Sequence, residues 1–105
     1  MSSIKLQSEY KDLDKYDQYG YTCYYKKNTK LYHNPYGPAV ISKSGYKEYY
    51  IEDRLHRLDG PAMIYSNDEG QGAYYINNKR LTKKQFETHP ERLKYLGKEH
   101  LICVG

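Results

Sequence analysis

The sequence predicts a mainly β protein, an antiparallel meander of about two and a half repeated β-hairpins with one or two short C-terminal α-helices. Three observations lead to this prediction. The dipeptide Tyr-Tyr recurs 25 residues apart, and a block ending in Gly-Pro-Ala recurs between these dipeptides. The chain also uses tyrosine as its main large aromatic residue, with 15 Tyr against one Phe and no Trp. Tyrosine rings suit the half-buried surface of a pleated sheet, where the hydroxyl group stays near water.

Length and composition restrict the chain to a single domain. With 105 residues it has room for one ordinary core. We divide this domain (1–105) into an N-terminal strand or irregular segment (1–23), the hairpin repeats (24–81) and the C-terminal helices and tail (82–105). The mean hydropathy is −1.03 and no apolar run could cross a bilayer, so we expect a soluble, cytoplasmic protein. Cys23 and Cys103 are expected to be reduced thiols.

The N-terminal segment carries two competing patterns. Ile4-Lys5-Leu6 alternates like a strand, whereas apolar residues between Ser8 and Asp17 recur at helical spacing. We therefore expect a strand followed by an irregular or helical turn.

The Tyr-Tyr dipeptides mark the first half of each repeat. They are Tyr24-Tyr25, Tyr49-Tyr50 and Tyr74-Tyr75. The last two are followed by Ile and then by a polar turn, Glu52-Asp53 or Asn77-Asn78, which predicts a tight hairpin with left-handed backbone at the turn. Side chains alternate along a strand, so the two tyrosines of each pair are expected on opposite faces, and both faces are aromatic.

The second half of each repeat is a strand entered through Gly-Pro. The block runs from His33 to Gly37-Pro38-Ala39-Val40-Ile41 and again from His56 to Gly60-Pro61-Ala62-Met63-Ile64. Gly-Pro ends a turn and presets an extended chain for the strand after it. Polar turns at 43–46 and 67–72 then lead back to the next Tyr-Tyr strand. Each unit is thus predicted to be a β-hairpin, and neighbouring units stack into one meander.

The C-terminal segment changes to helical signals. Thr82 followed by Gln85 is a capping-box pattern, and His89-Pro90-Glu91 indicates a second helix start. We expect the helices to cover one face of the sheet by docking Phe86, Leu93 and Leu96. We expect Gly97 to end the last helix and the apolar tail 101–104 to be tucked in or to form an edge strand.

The second repeat resembles a known repeat family. Tyr49 to Ile64, and above all Leu55-His56-Arg57-Leu58-Asp59-Gly60-Pro61-Ala62, resembles the degenerate MORN-like repeats of small proteins from tailed phages and giant viruses. Weaker copies run from Tyr24 to Ile41 and from Tyr74 to Leu81. Such repeats are also similar to those of some antitoxin-like bacterial proteins. The resemblance implies a curved antiparallel sheet and an interaction module, and it brings no catalytic residues.

Catalysis, cofactors and metals are not expected. Neither cysteine has a neighbouring His motif, and the sequence contains no phosphate-binding glycine loop or metalloprotease spacing. His33 and His56 recur at equivalent positions, but no cysteine or carboxylate recurs beside both of them, and zinc usually takes four ligands or three plus water. We predict hydrogen-bonding roles in the turns for these two histidines.

The leading functional hypothesis is a non-enzymatic protein-binding module. A tyrosine ladder and nearby arginines form the predicted partner-binding set, because Tyr and Arg are enriched at binding hot spots, although the ladder could equally be core. The set is Tyr25, Tyr50, Tyr75, Arg54, Arg57 and Arg80. The resemblance adds the expectation of a viral accessory protein that binds and inhibits a host or antiviral-defence protein in the host cytoplasm.

Two alternatives stay open. The net charge of +4 includes lysine clusters interleaved with tyrosines, which is also the pattern of a single-stranded nucleic-acid binder. Its predicted contacts are Lys26, Lys27, Lys30, Lys79, Lys83 and Lys84. Alternatively, a sheet edge or the tail could drive self-association. Membrane binding is not expected, because no basic amphipathic helix of useful length is present.

Overall fold

A computed structural model describes residues 3–65 and 71–104, with side chains as far as residue 97. In this part of the chain, ten strands precede two helices. The elements are β1 (Ile4–Leu6), β2 (Leu13–Gln18), β3 (Tyr21–Lys26), β4 (Val40–Ser42), β5 (Lys47–Glu48), β6 (Tyr50–Ile51), β7 (Arg54–Leu55), β8 (Met63–Ile64), β9 (Gly72–Ile76), β10 (Lys79–Leu81), α1 (Lys83–Glu87) and α2 (Pro90–Val104).

The strands form the predicted antiparallel meander. Eight of them make one sheet in the order β1-β2-β3-β4-β5-β8-β9-β10, and β6 and β7 pair as a separate hairpin. β5 and β6 form one nearly continuous strand that is interrupted only at Tyr49. Its first half pairs with β4 and β8, and its second half pairs with β7 and with the segment after Tyr32, where the Asn34 amide donates to the Tyr50 carbonyl at 3.0 Å. This change of partner accounts for the second, smaller sheet.

The tight turns have the left-handed backbone that their sequences predict. Both central residues have positive φ in the second repeat (Glu52 +46°, Asp53 +68°) and in the third (Asn77 +51°, Asn78 +68°). These are the dihedral signs of a type I′ turn, whose twist matches that of the flanking strands. The β2–β3 turn repeats the geometry with Tyr19 at +52° and Gly20 at +86°.

The two faces of the meander are unequal. We call the face that carries Tyr24, Tyr49 and Tyr74 the covered face, and the face that carries Tyr25, Tyr50 and Tyr75 the open face. Ala39 and Ala62 are completely buried and lie between the tyrosines of the covered face. The Tyr24 and Tyr49 amides donate to the carbonyls of these two alanines, each at 2.7 Å. Tyr and Ala therefore alternate across the strands.

Three different groups lie over the covered tyrosines. Tyr10 packs on Tyr24 with ring centroids 5.8 Å apart. The guanidinium carbon of Arg57 lies 4.0 Å from the centre of the Tyr49 ring. Phe86 of α1 lies 4.5 Å from Tyr74. The expectation that C-terminal helices cover one face thus holds at the β9–β10 end, while the N-terminal segment and the second repeat supply the rest.

The N-terminal prediction is wrong from Leu13 onward. Residues 13–18 form β2 instead of an irregular or helical turn, and they pair with β3 from Leu13↔Lys26 to Gln18↔Tyr21. This pairing buries Leu13 on one face and packs Tyr16 against Tyr25 on the other. A long-range partner therefore overrides the local helical spacing.

The helices start as predicted but end differently. Thr82 and Gln85 make both hydrogen bonds of the capping box, and α2 begins at Pro90. However, α2 continues through Gly97 to Val104, so Gly97 is not a stop and the backbone of 101–104 is helical, not an edge strand. Leu93 is 52% exposed, so it does not dock on the sheet as expected. Of the predicted turn at 67–72, residues 67–70 lie outside the described residues.

Overpacking the covered face should destabilise the fold. We expect Ala62→Leu to lower the free energy of unfolding by about 1–3 kcal/mol, because the extra carbons must fit between the Tyr49 and Tyr74 strands. Chemical denaturation measures this, with Tyr65→Leu at a half-exposed position as the matched control. An Ala62→Leu variant as stable as its control would contradict the alternation of Tyr and Ala as a packing constraint.

Removing the backbone strain at Tyr19 in the β2–β3 turn should stabilise the protein. A bulky residue is strained at positive φ, whereas Asn adopts this conformation readily. We therefore expect Tyr19→Asn to raise the free energy of unfolding by about 0.5–1 kcal/mol in thermal or chemical denaturation. Tyr65→Asn, at another exposed tyrosine whose φ is not positive, should bring no such gain. A decrease for Tyr19→Asn would show that the ring contributes more than the backbone costs.

Candidate functional site: the open tyrosine face

A row of tyrosine rings in mutual contact crosses the open face. Tyr25 lies between Tyr16 and Tyr32, with centroid distances of 5.6 and 5.1 Å, and Tyr32 continues the row to Tyr50 at 5.1 Å. The row arises because Tyr32 pairs with Tyr25 through an isolated bridge while the next repeat places Tyr50 beside it. Tyr25 itself is buried, with 7% of its surface exposed, so this member of the predicted ladder belongs to the core. Tyr16, Tyr32 and Tyr50 are half-buried.

A cavity of about 440 Å³ lies beside this row. The β2–β3 hairpin contributes Tyr19 of its turn and Tyr21 at the start of β3, which are 68% and 41% exposed, and the β4–β5 hairpin contributes Tyr46 and Glu48. The remaining lining residues are Gln18, Cys23, Tyr32 and Val40. Buried Cys23 and Val40 form an apolar base, so the cavity combines an apolar interior with a tyrosine rim.

Glu48 is the one charged residue among those that line this cavity. The Tyr46 hydroxyl donates a hydrogen bond to its carboxylate, and Tyr50 lies two residues along on the same face. Burial and the neighbouring Glu48 charge raise the pKa of both Tyr46 and Tyr50 above the ordinary tyrosine value. Burial, with a smaller contribution from Tyr25, raises the pKa of Tyr32 to about 12. These phenols are therefore neutral hydrogen-bond donors near neutral pH.

Cys23 lies at the base of the cavity as a free thiol. Burial is the main cause that raises its pKa, and the Glu48 and Asp17 charges add to this. Since the thiolate is the nucleophilic form, such an environment makes Cys23 a poor nucleophile. Cys103 lies outside the residues whose side chains are described.

His33 and His56 connect neighbouring repeats. The Nδ1 atom of His33 accepts a hydrogen bond from the Glu52 amide at 2.9 Å, and Nδ1 of His56 accepts one from the Asn77 amide at 3.0 Å. These bonds confirm the predicted hydrogen-bonding role and show that each histidine holds the turn of the following repeat. In the last repeat Leu81 takes the equivalent position and packs with Phe86. Among the described residues, no three His, Cys, Asp or Glu side chains group as a metal site.

Arg57 belongs to the covered face and not to the tyrosine ladder with which it was predicted. Its side chain is 12% exposed, and it donates to the Asp59 carboxylate at 2.8 Å and to the Pro61 carbonyl at 3.1 Å. A Cβ atom at Gly60 would lie 2.9 Å from the Arg57 guanidinium carbon, so a larger residue there would require the guanidinium group to shift. The first repeat replaces this arginine with buried Asn34, whose side chain donates to the Pro38 carbonyl at 3.0 Å.

The other predicted partner-binding residues lie further along the meander. Tyr75 is half-buried and pairs with exposed Arg80 on β9 and β10. Arg54 is exposed at the tight turn of the second repeat. The structure thus brings Tyr25 and Tyr50 together through Tyr32 and places the arginines elsewhere.

The lysines of the alternative nucleic-acid hypothesis form two separated groups. Lys26 pairs with Glu52, and Lys27 lies 3.1 Å from the buried Asp14 carboxylate. Lys30 lies over the Tyr16 ring at 5.7 Å. Lys79, Lys83 and Lys84 lie at β10 and α1, and four strands separate β10 from β3 in the sheet order. The sheet therefore does not join the two groups into one continuous basic track.

The sequence patterns did not predict the cavity residues Tyr19, Tyr21, Tyr46 and Glu48. A signal was present for Glu48, because period-2 alternation from Tyr50 places it on the open face. The role of the β2–β3 turn depends on β2, whose strand was not predicted.

Comparisons with known proteins give no further assignment: no family model matches the chain, and neither the curated proteins nor the solved structures that were searched gave a match. None of the helices in the described part of the chain is long and apolar enough to span a membrane.

The link made by His56 predicts a loss of stability on mild acidification. Burial lowers the pKa of His56, so the unfolded chain binds a proton more readily than the folded one. The stabilisation is complete above the ordinary histidine pKa of about 6.5 and is lost as the pH falls through this value toward the lowered one. We expect a decrease of about 1 kcal/mol in the free energy of unfolding, the value of one hydrogen bond.

A glutamine variant isolates this effect. In His56→Gln a side-chain carbonyl can still accept from the Asn77 amide but does not titrate, so the decrease between pH 7 and pH 5 should shrink. Urea denaturation across this range measures it, with His89→Gln at the start of α2 as the control. An unchanged pH profile in His56→Gln would assign the acid sensitivity to other groups.

Proposed function

We propose that this chain is a non-enzymatic protein-binding module that engages its partner through the open tyrosine face. The observation that carries the proposal is the asymmetry of the meander: Tyr10, Arg57 and Phe86 lie over one tyrosine row, while the other face keeps exposed rings around a cavity. Tyrosine supplies large, rigid contact area with a polar end and is enriched among binding hot spots.

Exposure and backbone strain both support this face. Tyr19 projects from a turn position that favours Asn or Gly, and its ring is 68% exposed. Strained backbone tends to persist at sites where it serves function. Tyr21, which is 41% exposed, lies beside it on the rim of the cavity. Together they are the accessible aromatic anchors of the proposed interface.

The partner class follows from the resemblance of residues 49–64 to MORN-like repeats of phages and giant viruses. We propose a host or antiviral-defence protein as the partner and inhibition as the outcome of binding. Two of the lysines predicted to contact nucleic acid already form ion pairs, Lys26 with Glu52 and Lys27 with Asp14. These ion pairs favour protein binding over the nucleic-acid alternative. A lysine that is already paired with a carboxylate gains less by contacting a phosphate.

Affinity capture tests the proposal. The tagged chain is used as bait in lysate of a candidate host, with and without nuclease, beside the double variant Tyr19→Ala/Tyr21→Ala. We expect one near-stoichiometric protein that survives nuclease, and at least about a tenfold loss of affinity in the double variant, as for hot-spot residues. Tyr65→Ala, which removes a half-exposed ring outside the cavity, should capture normally.

Two results would contradict this assignment. Recovery that collapses after nuclease treatment would favour the nucleic-acid alternative and its lysines. Undiminished capture by a folded double variant would exclude the open face as the interface.

A further inference from the structure

We propose that the cavity on the open face recognises an arginine side chain presented by a basic segment of the protein partner. This inference rests on the proposed function and names the chemistry that the interface selects. It starts from the lining of the cavity, in which four tyrosines surround one carboxylate, that of Glu48. Aromatic faces attract cations through the ring quadrupole, and the negative charge adds a direct attraction.

The Glu48 carboxylate is positioned and still has acceptor capacity. Tyr46 donates a hydrogen bond to it, which holds its orientation. An ionised carboxylate offers about four lone-pair sites, so this phenol leaves acceptor capacity for an incoming donor. In the described part of the chain, the ion pairs found do not involve Glu48, in contrast to Glu9, Asp14, Glu52 and Asp59. A guanidinium group would supply the missing positive partner.

The shape of the site favours arginine among the cationic side chains. A guanidinium is planar, stacks on aromatic faces and pairs with a carboxylate through two parallel N–H donors. It is also more weakly hydrated than an ammonium group, which suits a cavity whose base is formed by Cys23 and Val40. Tyr19 and Tyr21 at the rim are placed to contact such a flat group as it enters.

Peptide binding followed by NMR tests the proposal on the full chain. The probes are acetyl-Gly-Arg-Gly-amide and the same peptide with citrulline, a neutral group of nearly the same shape. We expect the arginine peptide to shift the amide signals of Tyr19, Tyr21, Tyr46 and Glu48. Citrulline should bind at least about tenfold more weakly, because it lacks the charge that the rings and the carboxylate attract.

Two variants locate the effect in the cavity. Glu48→Gln keeps an acceptor oxygen for Tyr46 but removes the charge, and should weaken the arginine peptide by about tenfold. The matched control is Glu9→Gln, since Glu9 also accepts a tyrosine hydroxyl, that of Tyr24 at 2.8 Å, but lies on the covered face. Tyr19→Asn should also weaken binding while making the protein more stable, so a loss in this variant cannot be attributed to unfolding.

The outcomes separate this inference from the proposed function. Equal binding of the two peptides, an unchanged affinity in folded Glu48→Gln, or no shifts at the cavity with either peptide would overturn the arginine site. If Tyr19→Ala/Tyr21→Ala then still abolishes capture of the protein partner, the open face remains the interface and only its charge recognition is rejected. If capture also survives in that double variant, both proposals fail.

Discussion

The structure depends on one packing constraint, the alternation of large and small side chains across the covered face. Tyr24, Tyr49 and Tyr74 are separated by Ala39 and Ala62, which have no exposed surface. The methyl groups leave room for rings on both sides, and the Pro before each alanine sets the chain extended for the strand. The 25-residue period of the sequence is therefore the period of this alternation. The second tyrosine of each pair must then point to the other face, which creates the open row.

A second set of contacts locks each hairpin to the next. A histidine ring accepts from the following turn, and the turn amides of Asp53 and Asn78 donate back to the carbonyls of Tyr32 and Leu55 at 2.7 and 2.8 Å. The series ends where no further turn follows, and there Leu81 replaces histidine and packs under Phe86. The last repeat is thus closed by an apolar helix contact, as stacked repeats require at their ends. The residues that link neighbouring hairpins therefore both stabilise the fold and fix the order in which the repeats stack.

The candidate site lies on the face that neither the alternation of Tyr and Ala nor the links between hairpins fills. The covered face is filled by three unrelated groups, whereas the open face carries exposed tyrosines around Glu48, to which the Tyr46 hydroxyl donates. The ladder of Tyr25, Tyr50 and Tyr75 was predicted from strand alternation, because each pair has one tyrosine per face. Tyr32, which joins Tyr25 to Tyr50, was not predicted, since its place in the row follows from a bridge between two segments of one repeat. The cavity also needs β2, whose pairing outweighs the helical spacing of its own residues.

The sequence by itself determined the repeat, the turns, the capping box and the division of each Tyr-Tyr pair between two faces. These features are local: they follow from side-chain alternation, from the φ preferences of turn residues and from short-range hydrogen bonds. Only the tertiary structure decided which face is covered, that Arg57 stacks on Tyr49, that Leu93 stays exposed and that Glu48 lies among tyrosines. Each of these outcomes depends on contacts between residues distant along the chain or on which way a loop folds over the sheet. Side-chain alternation places Glu48 on the open face, but local patterns do not encode these contacts, because several placements bury similar apolar area and the choice lies in how the whole set of side chains packs.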